Sequence, residues 1–109
     1  MRTPEEIAEL LRALTPFIER RAKEILLANG QLFQGLAQIY APVKTGYLRD
    51  HIALIDYGDS VEVASEAPYS VFVEAKQPFM APAWSQVEPQ LTEQMENLQR
   101  EIDSFVQQH

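Results

Sequence analysis

Ala41-Pro42-Val43-Lys44-Thr45-Gly46-Tyr47-Leu48-Arg49-Asp50 leads directly into His51-Ile52-Ala53-Leu54-Ile55-Asp56-Tyr57-Gly58-Asp59-Ser60-Val61-Glu62-Val63-Ala64-Ser65. The Ala41-Pro42 step ends any helix before it, because a residue preceding proline is pushed out of the α region. Thr45-Gly46-Tyr47-Leu48 then reads as a capped single turn or tight loop, with Gly46 able to take positive φ. Residues 51–57 are rich in β formers, Gly58-Asp59-Ser60 make a turn, and residues 61–65 alternate apolar and polar. The segment 51–65 is therefore a β-hairpin whose second strand buries Val61 and Val63 and exposes Glu62.

Upstream, Thr3-Pro4-Glu5-Glu6 is a helix start, with Thr3 as cap, Pro4 at the first helical position and acidic residues at the positive end of the dipole. Apolar residues follow at helical spacing, and Leu11, Ile18, Ile25, Leu32 and Ile39 recur every seven positions. Pro16 interrupts this stripe and frees the carbonyl of Arg12, which predicts two helices over about 4–14 and 16–40, with Thr15 capping the second. Asn29-Gly30 is a potential stop, but the stripe continues past it, so the second helix is expected to run on.

Downstream, Ala67-Pro68-Tyr69 opens a segment that fits helical or strand spacing and is read as a short helical turn. Residues 75–82, with two prolines, read as an extended arm. Trp84, Val87, Leu91, Met95, Leu98, Ile102 and Phe105 then mark an amphipathic helix over about 83–107. The implied architecture is α+β: a small antiparallel sheet, made of the hairpin 51–65 plus a further short strand, packed with a long N-terminal and a long C-terminal helix. Helices of that length in a single domain of 109 residues must pair lengthwise or project onto a neighbour.

No apolar run approaches the ~18–20 residues of a membrane-spanning helix. The chain has no Cys, which removes disulfides and thiolate chemistry. Its net charge of -7 is uneven, because residues 1–40 balance while residues 83–109 carry five acidic side chains against Arg100 alone. Nucleic-acid affinity rests on clustered Lys and Arg, so specific nucleic-acid binding is not expected.

Catalytic patterns are missing. His51 has no Ser, Cys or second His at a recognised spacing, and His109 is terminal. Asp56, Asp59 and Ser60 flank the hairpin turn, where such residues are ordinary turn formers before they are cation ligands. Glu88, Glu93, Glu96 and Glu101 lack the Glu-x-x-His pairing of a di-metal bundle. No cofactor, metal or catalytic residue is assigned. The candidate subunit-interface residues are Arg49, Asp50, Phe72, Phe79, Met80 and Trp84; Trp84 has core filling as its simplest role, and Phe79 and Met80 sit on the arm, where two roles stay open, tucking under the sheet or anchoring a neighbouring subunit.

Three blocks carry a resemblance: Pro42, Thr45, Gly46, Leu48 and Arg49; then Tyr69, Val73 and Glu74; then Pro78, Phe79, Met80, Pro82 and Ala83. Their order over roughly residues 15–105 resembles the tail-component family of long-tailed bacteriophages, whose members are described as tail-completion or head–tail joining proteins. The chain departs from that pattern after Glu74, where Ala75-Lys76 replaces an aromatic-Gly-Thr segment and a longer loop. The resemblance implies a structural virion protein of the neck or upper tail, made in the bacterial host cytoplasm. It implies a homo-oligomeric ring that contacts other neck, connector or tail proteins, with neither enzyme activity nor a membrane. An acidic ring would suit a lumen through which DNA passes. The other reading of the same residues is a small acidic adaptor or inhibitor that binds a protein partner through its C-terminal helix.

Overall fold

The computed structural model describes residues 3–42, 46–67 and 69–108, without the side chains of Val71 and Phe72. Lys44, Thr45, Pro68 and His109, and the Phe72 side chain named above, thus lie outside the described residues. Along the chain come α1 (Pro4–Tyr40), α2 (Tyr47–Asp50), β1 (Ile52–Asp56), β2 (Val61–Ser65), α3 (Ser70–Lys76) and α4 (Met80–Gln108).

α1 begins as its sequence demands. Thr3 is extended (φ -75, ψ 159), its hydroxyl accepts the Glu6 N–H, and Pro4 occupies the first turn. The helix then runs unbroken for 37 residues, so the break expected at Pro16 does not occur. Proline costs the helix one hydrogen bond and some crowding, yet the helix carries on through it, with Leu14 buried before it and Ile25 after it. Thr15, expected as a cap, instead donates its hydroxyl to the Leu11 carbonyl at 2.7 Å within the helix. α1 ends at Ala41, which turns to φ -62, ψ 132 directly before Pro42 while its N–H still reaches the Ala37 carbonyl.

Gly46 takes φ 77 and opens α2, whose Leu48 is buried. The hairpin pairs Ile52 with Ser65, Leu54 with Val63 and Asp56 with Val61, antiparallel. These residues share one face, which lies on α1. A Cβ added to Gly30 would meet Leu54 Cδ1 at 2.7 Å and Val61 Cγ1 at 3.0 Å, so the bare glycine backbone is what lets the sheet approach. Lys23, Gly30 and Ala37, seven residues apart on α1, contact the hairpin or the core beneath it.

Among the described residues the sheet has two strands, and the further short strand expected does not form. Residues 70–76 are helical instead. The extended arm expected over 75–82 shrinks to residues 77–79, because α3 reaches Lys76 and α4 starts at Met80, about one turn earlier than expected.

α4 runs antiparallel along α1. Trp84 meets Phe33, Gln90 and Gln94 meet Asn29, and Asn97 and Glu101 line a surface groove with Arg21 and Glu24. The pairing makes a rod of 63 × 23 × 17 Å with a radius of gyration of 18.9 Å, against about 13 Å for a compact chain of this length. The main core lies at one end of the rod, where Ala37, Ala41, Leu48, Ile52, Ala67, Phe79 and Ala83 close on one another.

The seven-residue stripe fits this packing only in its middle. A straight α-helix drifts about 20° per heptad from a strict seven-residue repeat. Ile25 is buried against α4, whereas Leu32 and Ile39 rotate away and are exposed.

Candidate subunit interface

α4 begins after Gln77-Pro78-Phe79, which supplies no Ser, Thr, Asp or Asn to cap it. The cap comes from the preceding helix. Glu74, near the end of α3, accepts the Phe79 N–H at 3.1 Å and the Met80 N–H at 2.8 Å, one on each carboxylate oxygen. A negative charge at the positive end of the helix dipole adds to those two bonds. The turn this holds drives Phe79 inward, where it is 1 % exposed.

Halfway along the rod, Asn29 is buried between the long helices. Its amide donates to the Ile25 carbonyl at 2.8 Å and to Gln94 Oε1 at 2.7 Å, and its oxygen accepts from Gln90 at 3.3 Å. Gln90 and Gln94 are one turn apart on α4, so this cluster ties the two helices in one register.

The hairpin turn is tied to α1 by Lys23, which donates to Asp56 Oδ1 at 2.6 Å and to the Gly58 carbonyl at 2.7 Å. The hydrogen bond from Lys23, then that from the Gly58 N–H, holds the Asp56 carboxyl below its ordinary value of 3.8. Asp56, considered above as a cation ligand, is thus engaged within the chain. Among the described residues no three His, Asp or Glu side chains converge as a metal site.

At the core end of the rod, His51 stacks on Tyr47 with ring centroids 3.8 Å apart, and Tyr47 meets Tyr69 at 6.0 Å. The Nδ1 of His51 lies 2.7 Å from the Tyr47 carbonyl, which can only accept, so this nitrogen carries a proton. Beside the stack opens a groove of about 490 Å³ lined by Gly46, Leu48, Tyr69, Val73 and Lys76 among others. At the opposite end, Ile7 and Leu11 are 46 % and 56 % exposed.

Residues 5–75, from the first turn of α1 through α3, match the model of the family described as "Bacteriophage HK97-gp10, putative tail-component". The chain belongs to this bacteriophage tail-component family. No match is found among curated proteins or among solved structures.

The tail component is by that membership part of the virion. Its match stops at residue 75, so the Pro-Phe-Met block over 78–83 lies beyond the matched span.

The interface candidates of this tail component fall into three groups. Phe79 belongs to the chain's own core, which decides between the two roles left open for it: extended backbone between two prolines does not keep a side chain outside when Glu74 turns it in. Met80 is half-buried against the same core, and Trp84 is 40 % exposed with its ring 5.5 Å from that of Phe33. Arg49 and Asp50 form an exposed pair at 3.3 Å on the surface of one protomer. The sequence reading missed the tip at Ile7 and Leu11 and the groove at Tyr69 and Lys76. The tip was hidden because its residues sit in a regular stripe, and the groove because its walls come from separate segments.

Proposed function

We propose that this tail component is a structural subunit that assembles with copies of itself into a ring at the head–tail junction or upper tail, as a tail-completion or neck protein. The observation that carries this reading is the family match over residues 5–75, which covers the hairpin and most of the core that surrounds it. The elongated protomer supports it, since a rod with apolar side chains exposed at one end and a groove at the other suits lateral or end-wise assembly. Its partners are further copies and other phage structural proteins. The charge of -7 suits a ring whose lumen passes DNA without gripping it. No catalytic role is part of this reading.

The adaptor reading requires α4 to be free for a partner. Ala83, Val87 and Leu98 of α4 are buried in the protomer, so α4 serves first as core.

The test is the mass of the purified protein by sedimentation, together with its detection in purified tailed particles. A discrete homo-oligomer and a stoichiometric virion band are expected. A strict monomer that is missing from mature particles overturns the proposal.

A further inference from the structure

The backbone of β2 has an open side. The Tyr57 N–H donates to the Ser60 carbonyl at 2.9 Å, and the Glu66 N–H to the His51 carbonyl at 2.8 Å. Bonded pairs alternate along an antiparallel ladder, so in this register Ile55 bonds to Glu62 and Ala53 to Ala64. The backbone groups of Ile52, Leu54 and Asp56, and those of Val61, Val63 and Ser65, therefore face away from the hairpin. On the β1 side the Gln34 amide closes the row at the Ile52 carbonyl, at 2.9 Å. On the β2 side no hydrogen bond reaches the outward N–H and C=O groups among the described residues.

β2 ends at Ser65, whose hydroxyl oxygen is buried with no hydrogen-bond partner among the described residues. Such groups are rare in folded chains because burial without a partner is costly. A groove of about 500 Å³ opens against this residue, walled also by Ser70, Glu74, Phe79 and Met80. A chain laid along β2 runs on into that groove. On the solvent face of β2, Glu62 and Glu66 flank Ala64, both are exposed, and neither has an ion-pair partner among the described residues. Residues 57–75 hold Asp59, Glu62, Glu66 and Glu74 and no Lys or Arg.

We propose that the β2 edge binds an extended arm of another virion protein, added as a third strand. The arm places apolar residues beside Val61 and Val63 and Lys or Arg beside Glu62 and Glu66, and its backbone supplies the partner that the Ser65 hydroxyl lacks. A row of unpaired backbone donors and acceptors selects a polypeptide in β conformation, the ligand with the matching repeat. Cross-strand neighbours have Cβ atoms about 5 Å apart, so the two carboxylates select cations on that face of the arm. A second copy is the poorer occupant: its β2 brings the same two carboxylates, and its β1 is closed at Ile52 by Gln34. Assigning the arm to a virion protein rests on the structural reading above.

The test is amide hydrogen exchange, read residue by residue on the full-length protein with a short peptide of alternating lysine and valine. The peptide should slow the Val61, Val63 and Ser65 amides by at least about tenfold, while the inner amides of Ala53, Ile55, Glu62 and Ala64 are slow already. A peptide of alternating glutamate and valine should do nothing. The Glu62→Lys, Glu66→Lys double variant changes only exposed side chains and should reverse that preference. A lysine–valine peptide that does not bind, or that binds without slowing those three amides, overturns the proposal. So do three amides that are already slow in the protein alone, which would make a second copy the occupant. In purified tailed particles the three amides should be slow with no peptide added. Particles that contain the protein with this edge open overturn the docking and leave the structural reading intact, whereas absence from the particles overturns that reading and the arm's assignment to a virion protein.

Discussion

Glu74 and Met80 are joined across the corner between α3 and α4, with the Glu74 carboxylate taking the Met80 N–H at 2.8 Å while its other oxygen holds Phe79. One side chain thereby starts a 29-residue helix whose own flanking residues cannot cap it. Glu74→Ala should lower unfolding free energy by about 1–2 kcal/mol, and Glu74→Gln, which keeps one acceptor, by roughly half as much. Urea unfolding followed by circular dichroism measures both. A Glu74→Ala midpoint equal to wild type would mean the cap contributes nothing.

Phe79 is a core residue, and its loss should be felt before any assembly. Phe79→Ala should cost about 3–5 kcal/mol in the protomer, whereas Trp84→Ala, which empties a half-open site, should cost less. Melting of the isolated protomer separates the two. Equal melting temperatures for wild type and Phe79→Ala would return Phe79 to the role of a surface anchor.

Gly30 and Gly35 make a matched pair on α1. Each should gain up to about 1 kcal/mol from helix propensity on replacement by Ala. Nothing lies within 4 Å of a Cβ on Gly35, so Gly35→Ala should realise that gain. At Gly30 the new methyl meets Leu54 and Val61, an overpacking of about 1–3 kcal/mol, so Gly30→Ala should destabilise. Opposite signs in thermal unfolding are the expected result, and a stabilised Gly30→Ala would show that the hairpin can move aside freely.

Asp56 gives the fold a pH response of known sign. Its carboxyl is held below 3.8 in the folded protein, chiefly by the hydrogen bond from Lys23, so the unfolded chain takes up the proton first. The Lys23 tie therefore contributes above the ordinary carboxylate range and is lost as pH falls below 3.8 towards the lower folded value. Stability profiles of wild type and Asp56→Asn should converge at the acid end and separate as pH rises, with the gap narrowed by salt because both partners are partly exposed. Parallel profiles across the range would remove this pair from the account.

Much of the fold could be read from the chain because its local signals agree with its burial. Ala41-Pro42 stops α1, Gly46 takes positive φ, and the hairpin falls within the expected 51–65. Asn29-Gly30 does not end the helix because both residues are spent on tertiary contacts, the amide on α4 and the missing Cβ on the sheet. The misreadings share one cause, a local rule outweighed by a distant contact. Pro16 signals a break, but the helix runs on to residues that pack on α4 and the hairpin, and the prolines beside Phe79 signal an arm that Glu74 folds inward. Of the interface candidates, only Arg49, Asp50, Met80 and Trp84 present described side chains towards the surface.

With Gln90 and Gln94 level with Asn29, α4 ends level with about residue 13 of α1, and the first turns of α1 project beyond it. Every tertiary tie on α1 described above lies at Leu14 or later, so residues before that point can be added or removed without disturbing Lys23, Gly30 or Asn29. Each added residue lengthens the projecting helix by about 1.5 Å and swings its end by one step around the axis. Insertions of seven would keep the apolar edge in nearly the same direction, so the projecting length can vary without redesigning the body of the protein.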